Sequence, residues 1–147
     1  YGSGITGLFG ILGIAGALAA TWAGKLSDKM NKNRLITIAT LVMILAWGVF
    51  EFSGESIVGL VIGVVFIDMG LQSLHITNQN IIFSKNPEAR NRINTIYMVG
   101  YFIGGALGTT TGAYAWQWFQ WEGVASLGLI YTILILLVHL IFKQKNG

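Results

Sequence analysis

Residues 94–116 read NTIYMVGYFIGGALGTTTGAYAW, a stretch without one charged side chain and with glycine at positions 100, 104, 108 and 112. A helix needs about 20 mostly apolar residues to cross the hydrocarbon core of a bilayer, and this run is long enough. Wound as a helix, Gly100, Gly104, Gly108 and Gly112 stack into one groove without side chains, widened by Gly105 and Ala106. Hydrophobicity does not drive helices together inside lipid, so grooves of this kind serve close backbone packing. Shorter versions occur at Gly13, Ala17, Ala20 and Gly24, and at Gly59 and Gly63.

Further uncharged runs cover residues 1–24, 35–50 and 123–142. Hydrophobic residues make up 54% of the 147 and charged ones 10%, well below the roughly 25% charged residues of soluble domains. The pattern predicts an all-α, polytopic membrane helical bundle with five transmembrane helices at about 5–23, 35–52, 57–84, 94–116 and 124–142. The first run has no basic n-region and no initiating methionine, and more spans follow it, so it reads as a start in mid-protein and not as a cleavable signal.

With no cysteine and two histidines, neither disulfides nor structural-zinc spacing are possible, and no metal or cofactor is expected. Residues 2–7 match the glycine spacing of a dinucleotide fingerprint, but that motif needs a preceding strand and a βαβ unit. Without a metal site, a nucleophile dyad or a cofactor motif, an intramembrane enzyme is not expected.

The connections alternate in charge. Residues 24–34 and 85–93 and the tail from 143 hold every lysine and arginine: Lys25, Lys29, Lys32, Arg34, Lys85, Arg90, Arg92, Lys143 and Lys145. Residues 53–56 are short and acidic, and 117–123 are aromatic. Basic loops stay in the cytoplasm, which puts the N-terminus of this stretch outside and its C-terminus inside. The net charge of +3 is thus a topology signal and no nucleic-acid patch, and it suits contact with anionic lipid. Trp116, Trp118, Phe119 and Trp121 ring the last outer loop, as interfacial anchors do. Pro87 fits a stop after the third helix. Glu51 and Glu55 are expected in water beside the short outer loop, and His139 at the inner interface beside Lys143.

Ionisable residues within a span cost about 2.5 to 3.5 kcal/mol on insertion scales and mark function by default. Asp68 is such a residue, and Gln72, His75 and Gln79 follow it at spacings of four, three and four. At about 100° per residue the four share one face within roughly 60°, with Asn78 on its flank and Ser73 and Thr77 on the far side. A polar face must meet water or polar partners, never lipid. It is read as a cavity wall or an interhelical hydrogen-bond network, with Asp68 and His75 as groups able to exchange a proton. Seven residues separate these two, about 10.5 Å along the axis, too far for direct transfer. Tyr97 and Tyr101, one turn apart, offer hydroxyls and rings to the same cavity or to the core.

The stretch Gly24-Lys25-Leu26-Ser27-Asp28-Lys29-Met30-Asn31-Lys32-Asn33-Arg34 resembles the cytoplasmic signature loop of the major facilitator superfamily, G-x-L-[AS]-D-[RK]-x-G-[RK]-[RK], in its second copy. Asn31 stands where that pattern has glycine, and asparagine also tolerates a left-handed turn. Residues 87–95 leading into Tyr97-Met98 and 101–108 look like the loop and eleventh helix of bacterial proton-linked exporters of that superfamily. Asp68, Gly70, Gln72, His75, Asn78 and Gln79 resemble helix ten.

The resemblance implies that the five spans are helices eight to twelve of twelve, a partial C-terminal domain in a bacterial inner membrane. It implies a secondary transporter exporting small organic molecules against protons by alternating access, with the lipid bilayer, the absent N-terminal helices, a small-molecule substrate and H+ as partners. It also implies a cytoplasmic gate of Gly24, Asp28 and Lys29 with Arg90 and Arg92, in which Asp28 pairs with an arginine; the structural alternative is that Asp28 caps a helix or meets Lys32. A channel or a membrane scaffold without coupled transport is the alternative.

Overall fold

A computed structural model describes residues 3–53 and 56–143, with residues 5, 6, 8 and 9 described by backbone alone. The acidic Gly54 and Glu55, the tail from Gln144 with Lys145, and Gly2 of the glycine fingerprint lie outside the described residues. Helix α1 spans Ser3–Lys29, α2 Lys32–Ser53, α3 Ile57–Lys85 and α4 Arg90–Phe142, with a single 3-10 turn at Pro87–Ala89 before α4. Among the described residues there is no strand, and the protein is an all-α membrane bundle.

Three of these elements are long and apolar enough to cross a membrane: Lys32–Ser53, Ile57–Lys85 and Pro87–Phe142. A straight helix of the 53 residues in α4 would run about 80 Å, against a hydrocarbon core of about 30 Å. It is not straight. Gln120 has φ 54 and ψ −139 and breaks α4 into two legs, residues 90–119 and 121–142. The legs turn back on each other, and Thr111 and Tyr131 meet at 2.8 Å between their hydroxyls. Close to the turn, a Cβ on Gly123 would lie 2.6 Å from the Ala115 carbonyl oxygen, so only glycine fits there.

Helices run further than the uncharged stretches suggest. Helix α1 continues through Lys25 and Asp28 to Lys29, and α2 starts at Lys32, so the loop expected over 24–34 shrinks to Met30 and Asn31. Beyond the lipid boundary Lys, Leu and Met are good helix formers, enough to carry the helix through Ser27 and Asp28, and no proline intervenes. Asn31 has no left-handed backbone, since Gln120 is the one described non-glycine residue with positive φ. Its side-chain oxygen accepts hydrogen bonds from the amides of Asn33 at 2.9 Å and Arg34 at 3.3 Å. It caps α2, the role in which asparagine is among the best residues. At the other end α2 persists to Ser53, so Glu51 is not in a solvated loop. It is half-buried, and one of its carboxylate oxygens is enclosed without a hydrogen bond.

Helix α3 is the axis of the packing, held between α1 and α2. Antiparallel α2 and α3 touch through glycine, since a Cβ on Gly63 would strike the Phe50 ring and one on Gly70 would strike Met43 and sit 3.0 Å from the Ala39 carbonyl. Ile36, Ala39, Met43 and Leu74 form the buried core of this contact. Parallel α1 and α3 meet at Gly16 beside Asp68 and at the buried Ser27, whose hydroxyl accepts from Asn80 at 2.9 Å.

The second leg of α4 runs antiparallel to α2. Gly128 takes the face of Trp47, and the Trp121 indole donates to the Phe50 carbonyl at 2.8 Å. At the basic end, His139 Nε2 lies 3.0 Å from Thr37 Oγ1 and 3.1 Å from the Asn33 carbonyl. Contact between the first leg and α3 is sparse, which leaves a gap between them.

Candidate functional site

That gap is a cavity of about 1450 Å³ between the start of α2, the C-terminal half of α3 and both legs of α4. Its polar centre is built from α3 and the first leg. His75 Nδ1 lies 3.0 Å from the Tyr97 hydroxyl, and the His75 ring sits 4.9 Å from the Tyr101 ring, tilted by 54°. Asn78, one turn beyond His75, reaches the same Tyr97 hydroxyl. The four-residue step from Tyr97 to Tyr101 stacks both rings on one helix face, so the imidazole meets two tyrosines at once.

The wall beyond Tyr101 is bare backbone. Gly100, Gly104, Gly105 and Gly108 line the cavity, and a Cβ on any of them, or on Gly112, would meet no atom within 4 Å. The glycine groove of α4 therefore has no packing partner among the described residues. Leu71, Leu74, Leu134 and Val138 make the opposite side apolar, and Tyr131 adds its hydroxyl.

Of the polar face expected on α3, His75 reaches this cavity and Asp68 does not. Asp68 is half-buried against α1, where a Cβ on Gly16 would sit 3.4 Å from its Oδ2. Among the described residues its carboxylate takes no hydrogen bond or ion pair. Gln72 and Gln79 are half-buried outside the cavity wall. Shared periodicity placed the four on one face of α3, but α1 covers that helix at Asp68 while the first leg of α4 stands off at His75.

The signature-loop residues lie at the basic end of the bundle. Asp28, Lys29, Arg90 and Arg92 are exposed and Gly24 is half-buried. Among the described residues Asp28 forms no ion pair with Lys32, Arg90 or Arg92. Arg90 instead stands over the Phe83 ring at 5.7 Å, and Arg92 borders a shallow depression with Glu88.

Two side chains carry more than their sequence context indicates. Expected at the interface, His139 lines the cavity and ties the second leg to the first turns of α2. Trp121, expected as an anchor, is engaged with Phe50 both by its indole N–H and by an edge-on ring contact at 5.8 Å. By contrast Trp118 and Phe119 are exposed, at 77% and 71%. No local sequence signal gives the partners of His139 or Trp121, which lie 102 and 71 residues away.

The described residues thus form a helical membrane bundle with a polar-centred cavity between its helices. The family model of the Major Facilitator Superfamily matches residues 2–146, and the chain belongs to that superfamily. It is 42% identical to the uncharacterized transporter YgaY of Escherichia coli O157:H7 over 138 residues, 94% of this chain and 35% of that protein. It is 28% identical to the probable transporter SCO4007 of Streptomyces coelicolor over 128 residues, 87% of this chain and 30% of that one. An uncharacterized transporter of Buchnera aphidicola subsp. Schizaphis graminum is 25% identical over 138 residues, 94% of this chain and 33% of its own length. The chain thus spans about a third of the length of these curated relatives. No solved structure matches it.

Proposed function

We propose that this chain is the C-terminal portion of a secondary transporter that exports small organic molecules across a bacterial inner membrane, coupled to protons, by alternating access. The observation that carries the reading is the cavity, in which His75, Tyr97, Tyr101 and Asn78 gather between apolar walls, with further polar residues at its basic end. Binding sites have this character, mostly apolar with a few converging polar groups. The break at Gln120 supports five crossings, and the lysines and arginines support a periplasmic start and a cytoplasmic end.

Each expected site residue takes a part in this reading. His75, Tyr97 and Tyr101 contact the substrate. Asp68 exchanges the proton from its place between α3 and α1, with Gln72 and Gln79 along the same face. Asp28, Arg90 and Arg92, all exposed, are free to clamp and release the cytoplasmic side with Gly24 and Lys29. The bare groove of Gly100, Gly104, Gly108 and Gly112 packs or slides against the N-terminal helices along its outer flank, toward Gly112, while the flank that lines the cavity stays open to cargo. The fragment alone is not expected to transport.

The test is uptake into proteoliposomes of the full-length transporter under an imposed pH gradient, wild type against Asp68→Asn. Loss of gradient-driven accumulation with ligand binding retained is the expected result. Unchanged coupled flux would discard the proton role of Asp68, flux indifferent to the gradient in both proteins would favour a channel, and no flux in either would favour a scaffold.

A further inference from the structure

The cavity lining is electrically one-sided. Lys32 from α2, Lys85 from the end of α3 and Lys143 after the second leg all line it, and none of the described carboxylates, Asp28, Glu51, Asp68, Glu88 and Glu122, does. Retention of positive loops in the cytoplasm accounts for lysines at this end, but it does not account for where the acids go. Asp28 and Glu88 share the basic end and both stay off the cavity wall, Glu88 in the separate depression with Arg92. Asp68, the one acid in the middle of a span, is turned to Gly16 of α1.

Deeper in, the wall is apolar, with hydrogen-bonding groups concentrated at His75, Asn78, Tyr97 and Tyr131. Next to them lies the strip from Gly100 to Gly108, where no side chain protrudes and a flat body can lie against backbone. Low-dielectric walls focus the field of the lysines into the space between them. A cation entering would be repelled by the three ammonium groups, whereas an anion would be drawn toward them and offset part of their charge, an attraction that water screens at the exposed Lys85 and Lys143.

Resting on the reading of this cavity as the substrate site, we infer that the cargo is an amphipathic organic anion: a flat apolar body on the glycine wall beside Tyr101, and one acidic group held toward Lys32, Lys85 and Lys143. Anionic lipid shares that chemistry, and the measurement below separates the two sources.

The experiment uses the full-length transporter in nanodiscs and a pair of probes equal in size and shape, 2-naphthoate and 2-naphthylmethylammonium. The expected result is that naphthoate binds at least about tenfold more tightly, and that Lys32→Gln with Lys85→Gln removes most of that preference while the corresponding arginine pair keeps it. The wild-type comparison of the two probes stands even if a variant fails to fold. Equal binding of both probes, or tighter binding of the ammonium, overturns the inference. So does naphthoate binding that disappears when phosphatidylglycerol replaces phosphatidylcholine in the disc, which would make the site a lipid seat. In proteoliposomes, preferential flux of the ammonium probe sinks the anion assignment and leaves the transporter reading intact. Bound but never transported naphthoate does the reverse.

Discussion

His75 Nδ1 and Tyr97 Oη lie 3.0 Å apart beside the cavity, and this hydrogen bond is a direct polar link between α3 and the first leg of α4. Interhelical hydrogen bonds in membrane proteins contribute about 0.6 kcal/mol on average, with about 1.7 as an upper value.

A double-mutant cycle of His75→Ala and Tyr97→Phe should therefore show a coupling energy of about 0.5 to 1.5 kcal/mol in thermal or denaturant unfolding. Additive losses would mean that the two side chains merely sit side by side. Ligand binding in the same variants should drop for both singles, with little further loss in the double.

Two sets of glycines should respond oppositely to the same substitution. Gly63→Ala and Gly70→Ala force a methyl into Phe50 and Met43, and overpacking of this kind costs about 1 to 3 kcal/mol. Gly104→Ala and Gly108→Ala face open space and should stabilise the helix, by about 0.5 to 1 kcal/mol each. Circular dichroism melts in detergent measure both, and an equal loss for the two sets would contradict the packing described for α2 and α3.

Gln120 holds φ 54 and ψ −139, a region that side chains disfavour at a cost of about 1 to 3 kcal/mol. Gln120→Gly should raise the unfolding midpoint, by about 1 kcal/mol in free energy once the added entropy of glycine in the unfolded chain is subtracted. A fall in the midpoint would show that the Gln120 side chain contributes more than the backbone costs.

Single cysteines report the sidedness directly, because the natural chain has none among its 147 residues. In intact cells producing an otherwise cysteine-free full-length protein, Trp118→Cys should react with a membrane-impermeant maleimide, while Lys29→Cys and Arg90→Cys should react only after the cells are opened. Labelling of residue 29 or 90 from outside would invert the topology and remove the basis for a cytoplasmic gate.

How much of this was legible beforehand differs by element. The span Ile57–Lys85 is readable almost to its ends, because the short 53–56 connection and Pro87 bound it and Asp68 is its one charge before Lys85. Helix α1 outruns its apolar stretch, because its last turns are polar and polarity alone does not end a helix that no proline or glycine cap interrupts. Periodicity located Asp68 and His75 on one face, yet a face has no partner until neighbouring helices are placed, and α1 took Asp68 while α4 took His75. Glycine spacing carried the same ambiguity. It marks a surface without side chains, and Gly63 and Gly70 use that surface for contact while Gly104 and Gly108 leave it open. The lysines lining the cavity were visible only as a topology signal, because their convergence needs the ends of three separate helices.

The tie between His139 and Thr37 spans 102 positions of the chain, and this has a consequence for synthesis. During translation the opening turns of α2 reach the bilayer long before the imidazole that will cover the Asn33 carbonyl exists. Contacts between distant parts of a chain form late, so the nascent bundle stays unlatched along that flank until His139 itself has left the ribosome.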